Sequence, residues 1–150
     1  MRWIYLTFIV LLVPLLLKGN ARNPVRILLK ENRLDEATAI CRQFEVLSTS
    51  DVDTLLACAW VYFRSGQTAL AEKVLNQTKK SADLPEYQML NAYSKVNRKQ
   101  FDLADGLFEN LIQEHKGTLI ALQCTALRAE IKELRGQLPS AAFIYTSVVR

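Results

Sequence analysis

Hydrophobic and polar positions along the chain fall into two regimes. Residues 3–17 read WIYLTFIVLLVPLLL, an uncharged apolar run. From residue 24 onward, apolar residues recur at the three-to-four spacing of an amphipathic helix, interrupted by short polar stretches. The interruptions fall at Asn32-Arg33, Ser48-Thr49-Ser50, Ser65-Gly66, residues 81–85, Lys99-Gln100, Lys116-Gly117 and residues 136–139. The segments between them run to about 11–17 residues, the length of ordinary globular helices. No stretch alternates with period two for long enough to predict a strand. Ser50 with Asp53, and Asp83 with Glu86, have the spacing of capping boxes, and Pro85 suits a first helical turn. The pattern predicts an all-α chain in which helix and turn alternate.

The second helices of successive pairs align with one another. They read NRLDEATAICRQF, GQTALAEKVLNQT, KQFDLADGLFENL and GQLPSAAFIYTSV. Each places an alanine shortly after the turn: Ala37, Ala71, Ala104 and Ala141, at spacings of 34, 33 and 37 residues. Four residues later stands a larger side chain: Cys41, Leu75, Phe108 or Tyr145. Two helices of a hairpin cross closely only where one lacks a bulky side chain. Alanine leaves that gap without glycine's helix penalty. The four alanines are therefore the expected helix-packing points of hairpins stacked in sequence order.

This pattern resembles the tetratricopeptide repeat, a helical hairpin of about 34 residues. The best match covers residues 52–85, with Ala59, Tyr62, Gly66, Ala71 and Leu75; the next hairpin carries Ala92, Phe101, Ala104, Phe108 and Leu111. The resemblance extends over residues 24–150 and implies a right-handed α-solenoid of about four hairpins. The chain departs from the family in lacking the early tryptophan and most closing prolines. Its first opening helix is also short, and its last spacing is long. Residues 1–23 then form an N-terminal segment and tether, and residues 24–150 the repeat domain.

Such repeats line a concave face with their first helices. The expected positions are Leu56, Trp60 and Phe63 in the second hairpin and Met89, Tyr93 and Val96 in the third, with identical i, i+4, i+7 spacing. Side by side, the two stripes read either as an apolar groove for a helix or extended apolar peptide, or as core between helices. Glu130 and Glu133 interrupt the stripe in the fourth hairpin. The family's best-known ligand mode clamps a C-terminal carboxylate with Lys and Asn. Leu56 and Trp60 stand at those positions here, which argues against that mode. The last helix is apolar nearly all round, with Phe143, Ile144, Tyr145, Val148 and Val149, and no polar capping helix follows it. That face is expected to dock on another subunit or a second copy.

As a helix, residues 3–17 span about 22 Å, short of the roughly 30 Å hydrocarbon thickness. Trp3 and Tyr5 suit the headgroup interface, and Phe8, Pro14 and Leu17 continue the apolar segment. Arg2 and Lys18 can snorkel from its ends. Two readings fit: a retained single-pass transmembrane helix, or a cleavable signal peptide with Gly19-Asn20-Ala21 as the small-x-small site. Lys18, Arg22, Arg26, Lys30 and Arg33 favour the repeats on the cytoplasmic face, with export as the alternative.

Composition changes this picture little. The formal charge of +4 is a mild basic bias, and the cluster Lys95, Arg98, Lys99 reads as a solvated turn, so nucleic acid is not an expected partner. Cys41, Cys58 and Cys124 form no CxxC pair and read as reduced core residues, which leans toward a reducing compartment. The single histidine, His115, sits at a helix end, where the dipole explains it. No phosphate loop, metal cluster or nucleophile constellation stands in the sequence, so no cofactor and no catalysis are expected. The expected function is a membrane-anchored scaffold or adaptor that binds a protein partner and supports assembly of a membrane-associated complex. The lipid bilayer would be reached through residues 3–17, with possible self-association through the last helix. The alternatives are an accessory subunit of such a complex, or an exported assembly chaperone released by signal cleavage.

Overall fold

The computed structural model describes residues 23–46 and 51–149, less the side chains of Glu45, Val46, Val148 and Val149. Among the described residues are eight α-helices, one 3₁₀ turn (Lys79–Ser81) and no strand. The helices are α1 (Pro24–Lys30), α2 (Leu34–Val46), α3 (Val52–Arg64), α4 (Thr68–Gln77), α5 (Pro85–Asn97), α6 (Phe101–Glu114), α7 (Leu119–Leu134) and α8 (Leu138–Val149). Consecutive helices pair into four hairpins, α1–α2 through α7–α8. Each first helix packs on the next first helix, and each second helix on the first helix of the following hairpin. The chain is therefore a stack built in sequence order. The long final spacing is explained by α7, which has 16 residues where α3 and α5 have 13.

All four hairpin turns use one device. Asn32, Gly66, Lys99 and Gly136 have φ of 55°, 75°, 59° and 73°, and each stands five residues before its packing alanine. The left-handed residue lets the next N–H reach back to the last helical carbonyls. Gln67 N donates to Tyr62 O at 2.8 Å, Gln100 N to Lys95 O at 2.9 Å, Gln137 N to Lys132 O at 2.8 Å and Arg33 N to Leu28 O at 2.9 Å. This is the Schellman closure, which satisfies carbonyls that a helix end otherwise leaves bare. Glycine supplies it in two turns, and Asn and Lys accept the same backbone in the other two.

The start signals differ from expectation. Asp51, one residue before α3, accepts from Thr54 N at 2.9 Å, and Ser50 lies outside the described residues. At α5 the chain enters through extended Leu84 with Pro85 at the first position, and no side chain caps it. Proline's missing N–H removes one of the donors a cap would serve.

Ala37, Ala71 and Ala104 are fully buried and Ala141 is 2% exposed. Twelve residues before each stands a second fully buried position: Val25, Ala59, Ala92 and Ala129. The largest enclosed side chains, among them Tyr62, Phe108, Leu56 and Leu90, fill the space around these positions. Arginine–carboxylate pairs then tie hairpin to hairpin. Arg98 holds Glu72 at 2.9 Å, Arg128 holds Asp105 at 2.9 Å and also Glu109, and Arg135 holds Asp102 while lying over the Phe101 ring.

Two expectations are corrected. Cys41 of α2 and Cys58 of α3 are joined as a disulfide, with Cα atoms 5.5 Å apart, because α2 and α3 pack side by side. Only Cys124 keeps a free thiol, and burial pushes its pKa up to about 12. The leaning toward a reducing compartment falls with the free pair. Secondly, among the described residues no helix is long and apolar enough to cross a membrane. That overturns the single-pass membrane localisation. Residues 3–17, with Trp3, Tyr5, Phe8, Pro14 and Leu17, lie outside the described residues, as does the tether at 18–22.

Candidate functional site

The first helices α1, α3, α5 and α7 run side by side, so their N-terminal ends share one rim of the stack. A pocket of about 360 Å³ opens there. Val52, Asp53 and Leu56 of α3 line it, with Leu84 and the first residues of α5, Pro85 and Glu86, and Ile120 of α7. Three successive hairpins thus contribute to one site. Its walls are mainly apolar, and Leu84 is 39% exposed at its edge. The absence of a side-chain cap on α5 follows from the same geometry, since an apolar residue occupies the cap position.

Charge at the mouth comes from a network centred on Arg26 of α1. Its guanidinium donates to Asp53 at 2.6 Å and to both oxygens of Glu86 at 2.8 and 3.0 Å. Asn23 Nδ2 donates to the other oxygen of Asp53 at 2.7 Å, and its side-chain Oδ1 caps α1 by accepting from Val25 N. The hydrogen bonds from Arg26, opposed by partial burial and aided by Asn23, hold the Asp53 carboxyl below its usual range. One guanidinium thus faces two carboxylates at the mouth.

The two expected stripes lie mostly in the seam between hairpins. Leu56, Phe63, Met89, Tyr93 and Val96 are buried, and Trp60 is half-buried. Neighbouring first helices approach closely enough for the aromatic rings to interlock. Tyr93 meets Trp60 edge-on at 5.1 Å and Phe63 at 5.5 Å. Of the two readings of these residues, core between helices describes five of the six. Leu56 also reaches the pocket, and Trp60 follows one turn along α3. Glu130, which interrupts the apolar pattern, continues the seam by chemistry. It accepts from Tyr93 Oη at 2.8 Å and lies 3.9 Å from Arg64. Burial, then the Glu130 charge and hydrogen bond, drive the Tyr93 phenol well above its ordinary pKa.

On the last helix Phe143 is 77% exposed, while Ile144 and Tyr145 are half-buried. Leu134 and Leu138 stand exposed on either side of the final turn. Val148 and Val149 belong to α8. His115 caps the end of α6, its N–H donating to Leu111 O. Among the described residues no group of three or more His, Cys, Asp or Glu is placed to hold a metal ion.

Sequence reasoning missed Val52, Leu84, Pro85 and Ile120, which come together only through the stacking of hairpins. It also missed the Arg26 network, whose partners lie 27 and 60 residues away along the chain.

Residues 28–92 match the family model of the tetratricopeptide repeat, a stretch running from the end of α1 to the middle of α5. Repeats of this family bind protein partners. No curated protein and no solved structure matches the chain.

Proposed function

We propose that these repeats make the chain a scaffold that holds a protein partner on the rim of its first helices and supports assembly of a larger complex. The observation that carries this reading is the pocket shared by α3, α5 and α7, apolar inside and with two carboxylates at its mouth. Its volume suits one or two apolar side chains of a helix or extended segment. A basic residue beside those side chains on the partner would meet these carboxylates. Trp60 lies along the same helix as an aromatic anchor, a residue type that often dominates interface energetics.

Site-specific photocrosslinking tests this. A photoreactive residue at position 84 should crosslink one discrete protein, and a control at exposed Leu103 on α6 should not. Leu84→Glu should remove the crosslinked complex formed from Ile120 while leaving the melting temperature nearly unchanged. Crosslinks arising equally from Leu103 would sink the assignment.

A second reading adds self-association or subunit docking through α8, and exposed Phe143, Leu134 and Leu138 favour it. Burying such side chains favours association by roughly 1.5–3 kcal/mol each. Size-exclusion chromatography with light scattering should give an assembly for the parent chain that Phe143→Ser dissociates. A parent chain that is monomeric at tens of micromolar refutes self-association through α8 and leaves the pocket reading intact.

A further inference from the structure

We infer that Cys41 and Cys58 are a dedicated oxidation site, and that their disulfide, made by exchange with an oxidised dithiol donor, is what fastens the first hairpin to the rest of the stack. The first hairpin is the one least able to hold itself. Helix α1 has seven residues and buries only Val25 and Leu28. Isolated helices below about 12–15 residues are marginal in water. The position one turn after the packing alanine carries Leu75 in the second hairpin and Phe108 in the third, both buried in the core. In the first hairpin that position is Cys41, whose side chain is much smaller. Its sulfur bonds across to Cys58 of α3 instead. The other polar attachments among the described residues are Arg26, a third exposed and paired with Asp53 and Glu86, Asn23, which donates to Asp53 and Thr54, and exposed Arg42, which donates to Gln67. Solvated pairs of this kind contribute little on their own.

The chemistry balances as two exchange steps. The thiolate of one cysteine attacks the donor's disulfide, forming a mixed disulfide and releasing one donor sulfur as thiolate. The second cysteine's thiolate attacks the first cysteine's sulfur, closes the Cys41–Cys58 bond and expels the other donor sulfur. Two electrons and two protons leave the cysteine pair, and the donor ends as a dithiol. In the finished stack Cys41 is 1% and Cys58 3% exposed. The exchange therefore belongs to the chain before α1–α2 has docked, and docking then shields the bond.

This holds whatever the pocket binds, so its test uses the chain alone. Hydrogen exchange read by mass spectrometry would compare the full oxidised chain with the same chain reduced by dithiothreitol and with Cys41→Ala/Cys58→Ala, which needs no access for a reductant. Closing a loop of this size predicts that amides of α1 and α2 exchange about a hundredfold faster without the bond. Amides of α5–α8 should be unchanged, and reoxidation by oxidised glutathione should restore protection in the reduced chain. Unaltered protection in α1 and α2 overturns the inference. Loss spread equally through α5–α8 also overturns it, because the bond would then serve overall stability and not the first hairpin.

Discussion

Replacing Phe108 by alanine is expected to lower the unfolding free energy by about 3–5 kcal/mol. Phe108 lies in the middle of α6, one turn after Ala104, and is fully buried. Helix α6 is packed against both α5 and α7, and the Arg128 and Arg135 pairs bridge it to α7. A hole left there cannot close by moving one helix without opening another seam, which places the cost toward the upper part of the range. Against a total stability of about 5–15 kcal/mol, that is a large fraction. In a stack whose units contact only their neighbours, the damage should appear first between the third and fourth hairpins. Urea denaturation followed by far-ultraviolet dichroism should show an earlier midpoint, or a separate early loss of the α7–α8 signal. Leu103→Ala on the same helix, half-exposed, should change stability by less than about 0.5 kcal/mol. A Phe108→Ala chain as stable as Leu103→Ala would mean that α6 is not wedged between its neighbours.

The hairpins were legible because they rest on local and repeated signals. Polar breaks mark the turns, and an alanine recurs wherever helices must cross. Gly66 and Gly136 point to the left-handed turn, and the structure extends that turn to Asn32 and Lys99, which carry no glycine signal. Contacts between hairpins were not legible in the same way. Cys41 and Cys58 are 17 residues apart, a separation that says nothing until α2 and α3 are known to pack side by side. In the sequence Arg26 is one more basic residue after the apolar segment, yet it joins three first helices. The stripe Leu56, Trp60, Phe63 and Met89, Tyr93, Val96 has the same periodicity whether it faces a ligand or a neighbouring helix. Only the distance between first helices separates the two, and periodicity within one helix carries no information about that distance. In the sequence Glu130 is only a break in an apolar pattern, because a phenol on α5 able to reach it is a fact of three dimensions.

Tyr93→Ala should cost about 3–5 kcal/mol, by analogy with other large aromatic truncations. The ring is 6% exposed and makes edge-on contacts with both Trp60 and Phe63. Its loss removes the centre of the aromatic cluster that joins α3 to α5. It also strips Glu130 of the phenol that donates to it at 2.8 Å, leaving a partly buried carboxylate with Arg64 at 3.9 Å. Tyr93→Phe separates the two contributions. It keeps the ring contacts and removes only the hydrogen bond, so it should cost about 1.5–3 kcal/mol as a bond to a charged acceptor. Trp60→Ala should cost less than Tyr93→Ala, because Trp60 is half-buried and surrenders less enclosed surface. Chemical denaturation of the three variants, with dichroism at low denaturant as the check on native helicity, gives the ordering directly. If Tyr93→Ala melts like the parent while partner crosslinking at position 84 disappears, the ring belongs to a ligand surface. The first helices would then stand further apart than this packing requires, and the stripe would be a groove after all.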